Sequence, residues 1–126
     1  GDTSGAAGAA PHGGTGDSSA GVSLDGIPKA EGGQTVAEIL AGKANGAGKP
    51  VLVRGRVVKY TAAVMGKNWL HIQDGSGAGA DLTVTTAASA KVGDTVLVRG
   101  TLATDRDFGA GYAYEAIVED AAVTVE

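Results

Sequence analysis

The pentapeptide Val-Leu-Val-Arg-Gly stands twice in this chain, at Val51 to Gly55 and again at Val96 to Gly100. In both copies two valines flank a leucine, the period-2 spacing of a strand with one buried face. In both the run ends on a glycine, which suits a bend or bulge inside a strand. Two strands that alternate and kink alike can curl alike, as the closure of a small β-barrel requires. The copies are too short to be the units of a repeat protein.

The rest of the chain from Val51 on fits the same plan of short strands between turn residues. The first strand runs from Val51 to Val58, with Val51, Val53 and Val57 on one face and Arg54 and Arg56 on the other. Residues 61 to 67 read as a long loop. A second strand spans Asn68 to Asp74, with Leu70 and Ile72 opposite Trp69, His71 and Gln73. The Gly-rich turn from Asp74 to Gly79 leads to a third strand, Asp81 to Thr86, with Leu82 and Val84 inward. The fourth strand is Thr95 to Leu102. The last is Tyr112 to Val118, with a continuation toward Val125. The expected interior is Val51, Val53, Val57, Leu70, Ile72, Leu82, Val84, Val96, Val98 and Ile117.

Upstream the composition changes. Residues 1 to 34 hold ten glycines, four acidic residues and one base, Lys29. Such a segment buries too little apolar surface to offset its ordering entropy and reads as an extended arm rather than a domain. Its apolar set is Val22, Leu24 and Ile27, and Val22-Ser23-Leu24 alternates like a strand. These three are the expected docking residues of the arm, either on its own barrel or, as an added strand, on a neighbouring subunit. Thr35 and Glu38 then form a capping box for a helix of about two turns ending at Gly42. Asn45, Gly46, Gly48 and Pro50 read as a loop. The domain proper is therefore residues 35 to 126.

From here the residues carry a resemblance. The order of strand, loop, Lys67-Asn68-Trp69-Leu70-His71-Ile72-Gln73-Asp74-Gly75-Ser76-Gly77, strand, and Val92-Gly93-Asp94-Thr95-Val96-Leu97-Val98-Arg99-Gly100 resembles the OB-fold superfamily of anticodon-binding and single-strand-binding type. Within it the chain is similar to small exported bacterial OB proteins with a Met-Gly-Lys-Asn-Trp motif, here Met65 to Trp69. The resemblance covers residues 49 to 125. It implies an all-β, five-stranded Greek-key barrel, here with a short leading helix and a long Gly-rich arm. It says little of function, because such barrels host unrelated roles.

On such a barrel the outer face of the first three strands engages oligonucleotides, oligosaccharides or proteins. Here that face would present Arg54, Arg56, Trp69, His71, Gln73, Thr83 and Thr85 as ligand-binding residues. An exposed Trp beside Arg can stack a base; the alternative is that Trp69 packs beneath the 61–67 loop against Tyr60 or Met65. Net charge is −4, and residues 35 to 126 carry nine bases against ten acids, which leaves little for phosphate neutralisation. Asp105 and Asp107 are the candidate ligands of a hard cation such as Ca²⁺, although Asp is also a common turn residue.

Catalytic patterns are missing. Ser76 lacks the nucleophile-elbow context, and Gly48-Lys49-Pro50 departs from a phosphate loop. The absence of cysteine excludes disulfides and thiol chemistry. No apolar run reaches the ~18 residues of a membrane span. Gly1 in place of Met reads as a processed terminus and points to a periplasmic or extracellular protein. The expectation is a non-enzymatic structural protein whose arm docks on another copy, giving a homopolymer or filament, with no cofactor. The alternative is a binding module for single-stranded nucleic acid or another oligomeric ligand.

Overall fold

A computed structural model describes residues 22 to 109 and 111 to 126. Among the described residues there are five strands: β1 (Pro50–Val64), β2 (Lys67–Gln73), β3 (Leu82–Thr86), β4 (Thr95–Asp107) and β5 (Ala113–Val125). They form a closed barrel in the order β1-β2-β3-β5-β4, with β4 returning to β1. All neighbours are antiparallel except β3 and β5.

The two Val-Leu-Val-Arg-Gly segments turn out to be each other's partners. Val51 pairs with Gly100, Val53 with Val98 and Gly55 with Val96, so the echo forms one antiparallel ladder centred on Val53 and Val98. Gly100 sits where the β4–β5 register shifts, between Arg99 and Thr101. A Cβ there would lie 2.7 Å from Val118 Cγ1, so β5 packs on a bare backbone at that point. β1 changes partner near its own glycine: residues 50 to 56 pair with β4, and residues 56 to 64 with β2. One strand thus serves both sides of the ring.

β1 is longer than its expected 51–58 span, and residues 61 to 64 are strand, not loop. The reason is a tight hairpin. Val64 pairs with Lys67, and Met65 and Gly66 between them both have positive φ, 53° and 76°, as a primed two-residue turn demands. The irregularity that hid this strand from its pattern is a register shift between Thr61 and Val64, where Ala63 also has positive φ. β4 likewise continues past Leu102 to Asp107, paired with the start of β5.

Nine of the ten expected interior residues join one buried core cluster. Ile117 is fully buried too, as expected, but packs outside that cluster. It alternates with Ala116 and Val118, which do belong, so it faces the other side of β5. Helix α1 (Val36–Ala41) carries both bonds of the capping box and contributes Val36 and Ile39 to the core. Asn45 and Gly46, expected in the loop, instead belong to a single helical turn, α2 (Lys43–Gly46). The Gly-rich turn before β3 has a job here: Asp74 Oδ2 accepts from the Val36 N–H (3.0 Å), and Ser76 Oγ accepts from the Ala37 N–H (2.9 Å). These are donors that a helix start leaves unpaired. No helix among the described residues is long and apolar enough to cross a membrane.

The arm residues 22 to 34 lie along their own barrel and enter no strand ladder, turning at Asp25-Gly26. Of the expected arm, residues 1 to 21 fall outside the described residues. At the arm the barrel offers two arginine side chains and a backbone carbonyl on the stretch of β1 that pairs with β4. Arg54 Nη1 donates to Pro28 O (3.1 Å), and Arg56 Nη1 to Ser23 O (2.8 Å) and Asp25 O (3.2 Å). Gln34 N–H donates to Leu52 O (2.8 Å). Gly33 makes that approach possible, since a Cβ in its place would stand 2.2 Å from the same carbonyl oxygen. Val22, Leu24 and Ile27 are half-buried and Ala30 is buried.

Candidate functional site at the aromatic hairpin

The chain has five aromatic residues, and four of them meet in one place. Trp69, on β2, is 3% exposed. Its ring meets Phe108 edge-on at 5.4 Å between centroids, Tyr112 at 5.6 Å and Tyr114 at 5.8 Å. Its indole N–H donates to Val64 O at 2.8 Å, at the bulged end of the β1–β2 hairpin. Asn68 fixes the same hairpin, its Oδ1 accepting from the Ala63 N–H (3.0 Å) and its Nδ2 donating to Ala88 O (2.9 Å). The Met-Gly-Lys-Asn-Trp motif is thus a construction unit: turn, brace and plug. Trp69 does not stand open to solvent, and its covering comes from the β4–β5 hairpin, not from Tyr60 or Met65, the latter 49% exposed.

Phe108, Tyr112 and Tyr114 keep half-exposed surfaces, and Arg106 stands 5.4 Å from the Phe108 ring centroid. Burial, with a smaller contribution from Tyr112, pushes the Tyr114 phenol above its usual range. Recesses open on two sides of Tyr114. One, about 280 Å³, is lined by Asp105, Arg106, Asp107 and residues 113 to 115. The other, about 500 Å³, is lined by Leu40, Lys43, Asp81, Thr83 and residues 113 to 116. The second has a topological origin: β3 and β5 pair only from Thr83 and Ile117 onward, and it opens just before the ladder begins.

The seven residues expected to form one ligand face divide among separate tasks. Arg54 and Arg56 hold the arm, and Arg54 also pairs with Glu126 (Nε to Oε1, 2.6 Å). Trp69 is the hairpin plug. Thr85 is fully buried, its hydroxyl accepting from the N–H of Asp120, a residue with positive φ. Only His71, Gln73 and Thr83 remain together. His71 Nδ1 lies 3.0 Å from Asp81 Oδ1, Gln73 Nε2 donates to Asp81 Oδ2 (3.3 Å), and Thr83, though 5% exposed, lines the larger recess. Across it, Lys43 pairs with Glu115, whose carboxyl is held below its usual range by the ammonium.

Asp105 and Asp107 line one recess, but Asp107 Oδ1 already accepts from the Gly109 N–H (2.8 Å). Among the described residues no three His, Cys, Asp or Glu side chains converge as a cation site would need. Sequence reasoning missed Phe108, Tyr112 and Tyr114, although Tyr112 and Tyr114 share the period-2 spacing of one strand face. The acidic flanks of that loop drew attention instead. Compared with known proteins, the chain matches no protein-family model and gives no significant match among curated proteins.

Proposed function

We propose that this chain is an exported, non-enzymatic OB-fold binding module that takes an oligomeric ligand at the aromatic hairpin. The OB assignment is supported by the strand order and by the single parallel pairing of β3 with β5. The observation that carries the function is the gathering of Trp69, Phe108, Tyr112 and Tyr114 beside two open recesses. Half-exposed aromatics next to polar groups are the usual furniture of a binding site. Against catalysis, His71 bonds Asp81, and no nucleophile is hydrogen-bonded to its ring among the described residues. Single-stranded nucleic acid fits this site poorly. Its cations, Lys43 and Arg106, are paired with Glu115 and Glu119, while Asp81, Asp105 and Asp107 add negative charge.

The test uses Trp69, the only tryptophan, as a reporter. A ligand seated at the hairpin should shift its emission saturably, and Tyr114→Ala should abolish the shift while the barrel stays folded. Saturable binding, followed calorimetrically, that is indifferent to Tyr114, Phe108 and Tyr112 would move the function elsewhere on the molecule.

Assembly through the arm is the second reading. What favours it is that Arg54 and Arg56 fix residues 23 to 28 on the barrel, so the chain ahead of them departs from a set point. Deleting residues 1 to 21 should convert any large species to monomer in size-exclusion chromatography. A wild type that is already monomeric at high concentration ends this reading.

A further inference from the structure

The larger recess has a lining that selects among ligand classes. One wall is the Asp81 carboxylate, held by His71 on one oxygen and by Gln73 on the other. A carboxylate has about four acceptor positions, so two remain for a ligand. The opposite wall carries Lys43, an ammonium with three donors, of which Glu115 takes one. Between them lie Thr83, the aliphatic Leu40 and the half-exposed ring of Tyr114.

We propose, resting on the binding-module reading, that this recess recognises a neutral oligosaccharide. A pyranose ring needs what these residues offer together: a flat aromatic surface for its C–H face, an oriented carboxylate to accept from adjacent hydroxyls, and a donor for the hydroxyl or ring oxygens. The recess is within the ~300–1,000 Å³ of small-ligand sites. The second recess, beyond Tyr114, is open to a further residue of the same chain. Acidic glycans and nucleic acids are disfavoured, because the only ammonium in the larger recess is already paired and two carboxylates share its lining.

The experiment probes the full chain on an array of neutral, sialylated and sulfated glycans, and titrates the best neutral hexasaccharide, (dT)12 and a lysine-rich peptide by Trp69 emission and calorimetry. Neutral glycans should bind and acidic ones should not. Asp81→Asn should lose about tenfold in affinity or more, as removing a charge-assisted hydrogen bond does. Tyr114→Ala should lose a similar factor and Tyr114→Phe far less, with both variants checked by circular dichroism to be fully folded at the assay temperature. Binding confined to sulfated glycans, (dT)12 or the peptide, still sensitive to Tyr114, overturns the ligand class and leaves the binding module standing. A neutral glycan that binds equally well to Asp81→Asn and Tyr114→Ala overturns the site. No binding by any probe overturns both readings.

Discussion

Trp69 carries the sharpest lesson at the level of single residues. Its place in a strand was legible from alternation with Leu70 and Ile72, and its burial was one of two readings open to the sequence. What covers it was not legible, because Phe108, Tyr112 and Tyr114 arrive from a hairpin distant in the chain. Truncation to Ala should cost about 3–5 kcal/mol, the range for a large buried aromatic. Trp69→Phe should cost less in packing but leave Val64 O without its donor, adding about 1–3 kcal/mol. Urea unfolding checks both, and a Trp69→Ala loss below about 1 kcal/mol would mean that the aromatic cluster is not cohesive. Met65 should behave oppositely. It holds positive φ at the first turn position, where Asn is better suited, so Met65→Asn should raise stability by up to about 1 kcal/mol.

At the level of elements, strands with clean alternation were legible and those with irregular backbone were not. Residues 51 to 57 alternate cleanly in burial; residues 61 to 64 pass through a bulge at Ala63, which breaks the period-2 pattern while the pairing continues. The arm shows a different limit. Its composition announced a segment without a core, whereas its anchoring depends on arginines in β1 that sequence assigned to a ligand. Gly33 should be the sensitive point of that anchoring. Gly33→Ala would force a methyl against Leu52 O, so residues 22 to 34 should exchange amide hydrogens faster and be cut sooner by protease. The barrel strands should keep their protection. Arg56→Ala should act in the same direction, and unchanged protection of residues 22 to 34 in both variants would contradict the clamp.

Across the whole molecule, acid sensitivity follows from three glutamates. Glu38, Glu115 and Glu126 are held below the usual value of 4.5, chiefly by the Thr35 backbone N–H, Lys43 and Arg54 respectively. The folded state therefore binds fewer protons than the unfolded one in the acid range. Their contribution is fully present above the unfolded value and is lost as pH falls through the lowered folded values. All three are exposed, so the loss is modest. Thermal midpoints should decline between about pH 5 and pH 3, and Glu126→Gln should reduce that decline. A flat profile for the wild type would refute the assignment. The self-pairing echo has a separate consequence, for refolding. Because Val51 to Gly55 and Val96 to Gly100 are identical and pair antiparallel about Val53 and Val98, each segment is complementary to itself. In a crowded refolding mixture, Val51 to Gly55 of one chain can accept the same segment of another in the register reserved for its own β4. The intended partner lies far along the chain and is delayed by loop closure, while the wrong one becomes more available with concentration. Refolding yield should therefore fall as protein concentration rises, with swapped dimers accumulating. Leu52→Arg combined with Arg99→Leu keeps the Leu52–Arg99 cross-strand pair within the chain in reversed order but sets Arg against Arg when two copies of the first segment meet, so dimers joined through the first segment should become rarer.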